Sequence, residues 1–400
     1  MARRRRTLVF RCDAHIMPAA GTGGRSVAIY VDTSSAVHGK AGLGRYAANL
    51  ARELHALLGD RVRIFQNSLG RRGPLDVWDG LPPVGVRWGY RPWRSIVWMG
   101  QALSLSMDGL LPHGELFHAT EHLLPPFRRI PTVLTVHDLI FERLPEHHKP
   151  LNRSYLKAAM PLYCRRASAI IAISAHTKAD LVELYGVDPA KVTVIPEAAA
   201  PHFVPQPAER IAEVRRQYGL PRRYALTVGT IEPRKNLPAL LDACRPLLDD
   251  GSLDAVVIVG SKGWLTEGFF AKLGACPRRE QVILPGYVSD AELSAMYGGA
   301  AVTVQPSLYE GFGLPVLEAM ACGSPVCASG TTSLPEVGGD AARYFCPTDV
   351  QAITRTIRTV LEDETQAARM RQAGPARAAA FSWRRTALET CAVYDRLLER

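Results

Sequence analysis

The sequence has no C-x-x-C pair. Its eight cysteines, Cys12, Cys164, Cys244, Cys276, Cys322, Cys327, Cys346 and Cys391, are scattered, and the closest two match no common zinc or redox spacing. Scattered thiols fit a reducing compartment and exclude a disulfide-stapled scaffold. There is no H-E-x-x-H and no D-x-D. His147-His148 has no further ligand at metal spacing. No apolar run approaches the roughly 18 residues that a spanning helix needs. The stretch 95–107 is the longest uncharged apolar-rich segment, and Gln and Ser interrupt it. The basic start resembles a signal-peptide n-region, but Arg11, Asp13 and His15 break the apolar segment that should follow. The expectation is a cytoplasmic location, free or peripheral at the inner face of the cell membrane. Residues 1–25 are read as a disordered extension.

The chain carries 48 basic and 38 acidic residues, a net charge of +10 that suits an anionic partner. No helix-turn-helix, RRM or zinc pattern accompanies that charge, and it is spread along the chain, so nucleic acid is set aside. No G-x-G-x-x-G follows a strand, which argues against a dehydrogenase. Gly42-Leu43-Gly44 lacks the third glycine. With 400 residues, 47% of them apolar, the chain is long enough for about two or three ordinary globular domains, two being favoured.

What is present is a pattern that occurs twice: a short apolar strand, a glycine turn and an amphipathic helix. In the first half the strand is 27–31, and residues 42–46 open a helix with Leu43, Tyr46, Ala47, Leu50, Leu54 and Leu57 on one face. In the second half the strand is 224–228, Gly229-Thr230 turns the chain, and 237–248 forms a helix. Further apolar strands are expected at 116–118, 132–136, 169–173, 192–195, 255–259, 282–284, 301–305 and 325–328. Short Val- and Ile-rich runs alternating with helices predict parallel sheets with right-handed crossovers. The Ala/Pro-rich stretch 198–207 reads as a linker. Pro375 reads as a first helical residue. The last segment, 383–398, reads as an amphipathic helix.

Two motifs carry chemistry. The first runs Ser307-Leu308-Tyr309-Glu310-Gly311-Phe312-Gly313-Leu314-Pro315 and on to Glu318. Gly311 and Gly313 allow backbone to approach a ligand closely. A helix starting near Pro315 aims free amides at whatever lies over the loop, a place for an anion or for hydroxyl oxygens. Glu318 suits a vicinal diol such as ribose, and Glu310 the hydroxyls of a second sugar. The second motif is Gly229-Thr230-Ile231-Glu232-Pro233-Arg234-Lys235-Asn236. Its two cations lie between a strand end and a helix, the edge where ligands bind in such sheets. Together they can neutralise a diphosphate. In the first half, His137 ends the strand 132–136 and is expected to project toward a cleft.

On these residues the chain resembles the retaining glycosyltransferases of family four, and within them the bacterial polysaccharide mannosyltransferases. The resemblance runs from about residue 27 to the C-terminus. It implies the GT-B architecture, an α/β fold of two Rossmann-like domains whose parallel sheets face a central cleft. The N-terminal, acceptor-binding domain would be 26–205 and the nucleotide-sugar domain 206–382. The helix 383–400 would cross back onto the first domain. It further implies that Arg234 and Lys235 bind the donor diphosphate and Glu318 the ribose. Glu310 would contact the donor sugar with the amides of Gly311, Phe312, Gly313 and Leu314. His137 would touch that sugar across the cleft, and Gly42 and Gly44 would approach the diphosphate and acceptor. Gly229 would form part of the diphosphate turn, and Gly260, Gly286, Tyr287 and Val288 would line the nucleobase pocket. The implied reaction moves a hexose, first of all mannose from GDP-mannose, to a glycan or lipid-linked acceptor. No cofactor is implied and no metal, because Arg234 and Lys235 supply the positive charge. Basic residues Arg153, Lys157, Arg165 and Arg166 suggest contact with an anionic membrane surface. A sugar phosphorylase or epimerase on the same architecture, or a basic nucleic-acid-binding protein, is the alternative. The resemblance is imperfect at Pro196-Glu197-Ala198, where many relatives carry Asn-Gly.

Overall fold

The computed structural model describes residues 28–39, 41–68 and 83–399. The expected extension at 1–25 and the start of the first strand at Val27 lie outside the described residues. Seven parallel strands form the first sheet: β1 Ala28–Asp32, β2 Val62–Asn67, β3 Val84–Val86, β4 Gly114–Ala119, β5 Thr132–Val136, β6 Ala169–Ala172 and β7 Val192–Val194, in the order 3-2-1-4-5-6-7. Six parallel strands form the second: β8 Tyr224–Val228, β9 Ala255–Val259, β10 Val282–Gly286, β11 Val302–Gln305, β12 Val326–Ser329 and β13 Ala342–Phe345, in the order 10-9-8-11-12-13.

Both sheets are parallel for the reason visible in their side chains. Every residue of β1, β5 and β9 is buried, so helices must cover both faces. Strand order reverses between β1 and β4 in one sheet and between β8 and β11 in the other. At such a switch point the loops leaving neighbouring strands diverge and open a crevice beyond the strand ends. The loops after β8 and β11 are the two that carry the motifs.

Three strands escaped the sequence reading. In β2, Gln66 and Asn67 resemble a surface segment, yet both are buried: Gln66 donates to Thr33 Oγ1 and the Asn67 amide to Ser34 Oγ. β3 is three residues long, and β13 has the polar pattern Ala-Arg-Tyr-Phe of a sheet edge. Pro375 does not start a helix. It lies in the last turn of the helix Glu364–Ala378, where its missing N–H removes one helical bond, that to the Arg371 carbonyl. Residues 195–207 hold neither helix nor strand, and Ala198 and Phe203 within them are buried.

The C-terminal helix Trp383–Leu398 starts at Ser382, whose hydroxyl accepts from the Arg385 amide. It packs on the helix Ala41–Leu58 of the first half. Tyr394 is 1% exposed and its hydroxyl meets His118 Nδ1 at 2.7 Å; Trp383 stands edge-on to Tyr46 at 5.9 Å. Thr386 donates to the Pro196 carbonyl at 2.8 Å. Burying each such aromatic is worth about 1.5–3 kcal/mol, so the last helix is a strap holding the two halves at one relative position.

Candidate active site

The turn Pro233–Lys235 follows β8, and Asn236 leaves it in the left-handed region at φ 55°. Asn236 Nδ2 then reaches the Pro306 carbonyl, the Leu308 amide donates to the Arg234 carbonyl, and Arg234 Nη1 donates to the Tyr309 carbonyl. These bonds stitch the β8 loop to the β11 loop. Glu310 lies at the seam. Its Oε1 accepts from Lys235 Nζ at 2.6 Å, Gln305 Nε2 at 2.8 Å and Ser307 Oγ at 2.6 Å, and its Oε2 from Arg234 Nη1 at 2.6 Å. Burial alone would raise this carboxyl, but the charges of Arg234 and Lys235 outweigh it and hold it well below the usual range. Burial and the neighbouring guanidinium lower Lys235.

The sequence reading gives the diphosphate to Arg234 and Lys235 and the donor sugar to Glu310; in the structure these three side chains meet. Glu310 is the direct partner of both cations, because charges removed from water must be paired. Glu318 stands apart. It is 3% exposed, on the short helix Leu314–Ala321, with Arg45 Nη1 3.0 Å from Oε1 and Tyr297 donating to Oε2 at 3.2 Å. Burial raises its pKa to about 7 against the opposing pull of Arg45. Arg45 also pairs with Asp290, which takes His202 Nε2 at 3.1 Å. Arg45 belongs to the first half, so this ion pair crosses between the halves.

The glycines differ in what they do. A Cβ on Gly311 would sit 2.1 Å from the His137 carbonyl oxygen, so only glycine lets the β11 loop touch the end of β5. Gly313 has φ 115° and caps the helix Leu314–Ala321. Gly229, φ 148°, leaves room for the Lys235 stem, since a Cβ there would lie 2.9 Å from Cε. Gly44 lets its helix press on Ser35 and Ala36, whereas a side chain at Gly42 would meet open space. Phe312 is buried and edge-on to Phe381; Leu314 is half-buried. Gly260 backs onto the Gly229 carbonyl and its amide donates to the Gly286 carbonyl, so it shapes the turns after β8, β9 and β10. Tyr287 is 80% exposed, while Val288 is 4% exposed and sits in the core instead of lining a pocket.

His137 also departs from expectation. Its Nδ1 lies 3.0 Å from Glu197 Oε1 and its Nε2 2.8 Å from the Thr120 carbonyl, so neither ring nitrogen is free to reach across the cleft. Two acceptors on one ring require both nitrogens protonated. Burial works against that charge, but the Glu197 bond and charge prevail and raise the pKa. Glu197 is therefore the partner that the departure at Pro196-Glu197-Ala198 concealed. Replacing Glu197 by glutamine leaves a buried imidazolium unpaired, with an expected cost of about 3–5 kcal/mol. The raised folded value makes the pair's contribution complete below the unfolded histidine value of roughly 6.5 and lost as pH rises through the folded value. The gap in melting temperature between wild type and Glu197→Gln should thus narrow toward alkaline pH. A gap constant from acid to alkaline pH contradicts the assignment.

Sequence reasoning also missed a clasp between the halves. Glu336 accepts from the Ala175 and His176 amides, both at 2.7 Å, at the start of the helix Ala175–Tyr185. Tyr309 donates to Asp180 Oδ2 at 2.5 Å, and Thr177 Oγ1 donates to the Gly311 carbonyl at 3.4 Å. The β11 loop is thus gripped from both halves. No local signal in Ser333-Leu334-Pro335-Glu336 points to a partner 160 positions away.

Comparisons with known proteins identify the family and the fold. Residues 211–377 match the model of glycosyl transferases group 1, and residues 41–201 that of glycosyltransferase family 4. The chain is 32% identical over 284 residues to O-antigen chain mannosyltransferase B of Escherichia coli, covering 70% of this chain and 74% of that one. The chain belongs to glycosyltransferase family four. A second relative, the serotype-specific mannosyltransferase WbdA of Escherichia coli, is 35% identical over 245 residues, but the match spans 29% of its length. Among solved structures, sucrose-phosphate synthase from Thermosynechococcus elongatus superposes with a TM-score of 0.74 at 20% identity, covering 93% of this chain and 99% of that one. Anabaena HepE in complex with UDP and glucose superposes with a TM-score of 0.70 at 18% identity, covering 92% and 99%. At those identities the likeness is one of fold, the GT-B architecture. The family-four transferase thus presents, at the switch point of its second sheet, a cluster of two cations and two acids, buried except for the partly exposed Arg234, and a separate buried carboxylate.

Proposed function

We propose that this glycosyltransferase moves mannose from a nucleotide sugar, GDP-mannose first, to a hydroxyl of a glycan or lipid-linked acceptor in surface-polysaccharide synthesis, with retention of configuration and without a metal. One observation carries the reading: Arg234 and Lys235 meet at Glu310 beyond the ends of β8 and β11. The names of the two mannosyltransferase relatives support the sugar. The leaving group is a diphosphate, and preformed cations stabilise its growing charge at little reorganisation cost. Lys235 has donors left beyond its bond to Glu310, and Arg234 keeps Nη2 for a phosphate. Glu318 would hold the ribose in exchange for Arg45.

In same-face transfer the departing phosphate oxygen takes the acceptor proton. Glu310 is bound to four donors and held ionised, which suits a residue that positions sugar hydroxyls more than one that attacks carbon. The test is release of GDP from GDP-mannose with a mannose-terminated acceptor in the presence of EDTA, with the product anomer read by NMR. Release that stops in EDTA and returns with Mg²⁺, or an inverted product, contradicts the reading.

The helices Tyr90–Ala102 and Pro150–Arg166 lie side by side, with Trp98 Nε1 donating to the Ala158 carbonyl. Trp98, Met99 and Leu151 are exposed on them, and Leu103 is exposed just past the first. Of the four basic residues expected here, Lys157 pairs with Glu142 and Arg153 bonds the Pro145 carbonyl, while Arg165 and Arg166 are exposed. Apolar side chains beside arginines fit an anionic bilayer surface, each basic residue contributing about 1 kcal/mol there. Co-sedimentation with vesicles should rise with anionic lipid at low salt and fall in Arg165→Glu/Arg166→Glu. Equal pelleting with neutral and anionic vesicles would contradict it. Among the described residues no helix is long and apolar enough to cross a membrane.

A further inference from the structure

The cluster contains one carboxylate that the mechanism above does not use. Glu232, 5% exposed, starts the β8 motif. Its Oε1 lies 2.5 Å from Arg234 Nε, but its Oε2 is buried with no hydrogen-bond partner. A buried ionised oxygen without a donor is costly to keep. The free site tolerates it because two cations, Arg234 and Lys235, balance two acids, Glu232 and Glu310.

That balance fails once a diphosphate enters. Two or more negative charges arrive among groups that already sum to zero, at a site where Glu232, Glu310 and Lys235 are buried and water screens charge poorly. Asp138 of the first half, whose charge is felt at Arg234, adds further negative charge. A proton taken from solvent relieves the excess. Glu310 cannot readily accept it, because four donors hold it ionised. Glu232 has one cation on one oxygen and an open site on the other.

We propose that Glu232 takes up a proton on its Oε2 when a nucleoside diphosphate occupies the cleft, and releases it when the nucleotide leaves. The inference rests on the functional reading above. One O–H bond forms, its proton comes from the buffer, and nothing is oxidised or reduced. The same atom would donate a hydrogen bond once protonated, giving the orphan oxygen a role only in the occupied site. Burial already raises the Glu232 carboxyl, opposed by Arg234 and Lys235 and assisted by Glu310, and the phosphates add to the upward push.

The sign of the linkage is set: binding that consumes a proton weakens as pH rises, by up to about tenfold in affinity per pH unit where the linkage is complete. The test is calorimetric titration of GDP, and of UDP if GDP gives no heat, into the full-length protein in two buffers of different ionisation enthalpy. Because the nucleotide titrates too, the quantity read is the difference between wild type and Glu232→Gln. Wild type should take up about one proton more than the variant at neutral pH. Equal uptake with normal binding overturns the proposal and leaves the transferase reading intact. Absence of binding by either nucleotide overturns both. Should Glu232→Gln fail to fold, infrared difference spectra of wild type decide: a protonated-carboxyl band appearing with GDP supports the proposal, and its absence overturns it.

Discussion

Lys235→Ala is expected to lower turnover by at least about a hundredfold, the usual consequence of removing one preformed electrostatic donor from a developing charge. The structure sharpens why. Lys235 is 7% exposed and its ammonium is held by Glu310 at 2.6 Å, so the cation is fixed before a ligand arrives. The glycine at 229 exists in part to admit its stem. Loss of the side chain also leaves Glu310 with one cation where it had two. Lys235→Arg should not rescue, because a planar guanidinium replaces a point charge whose stem already lies against Gly229. The measurement is single-turnover sugar transfer with saturating donor. Activity within about threefold of wild type would remove Lys235 from the mechanism.

Gly311→Ala should be comparably severe although it removes no functional group. The added carbon would lie 2.1 Å from the His137 carbonyl oxygen and 3.0 Å from Asp138 Cβ, distances that no repacking of a flexible side chain can relieve. Either the β11 loop retreats or the two halves part. Glu310 is the preceding residue, so the carboxylate moves with the loop. A displacement of about 1 Å at a reacting centre costs on the order of a hundredfold in rate. The overpacking itself costs roughly 1–3 kcal/mol, which a chain of this size survives folded. The expected outcome is a soluble protein with a slightly lowered melting temperature and a collapse in turnover. Wild-type turnover would show that the two halves need not meet at this point.

How much of this was legible in the sequence follows from the range of the interactions. The loops 229–236 and 307–315 were legible because each is a local arrangement: an apolar strand end, glycines that permit a turn, a proline that starts a helix, and charges between them. Adjacency of the two loops followed from the doubly wound sheet, which sets β8 beside β11. What the spacing could not carry was pairing over distance. Glu310 meets Lys235 across 75 positions, Arg45 meets Glu318 across 273, and Glu197 meets His137 across 60. The partners of a buried charge are chosen by the fold. His137 therefore resembled a cleft residue when read with its strand alone, and Glu232 and Glu336 resembled ordinary charges beside prolines. β2 was concealed because its buried end is polar, satisfied by groups from another segment.

Every proposed role requires the β8 and β11 loops to grip a nucleoside diphosphate. The most direct measurement is the melting temperature of the wild-type protein and of Arg234→Ala/Lys235→Ala against a panel of nucleoside diphosphates and their sugars. A ligand held only by the folded protein at about a hundred times its dissociation constant adds about 2.7 kcal/mol of stability. One nucleotide, GDP first, is expected to raise the wild-type midpoint by several degrees and leave the double variant unmoved. Equal shifts in both proteins, or none with any nucleotide, would contradict it.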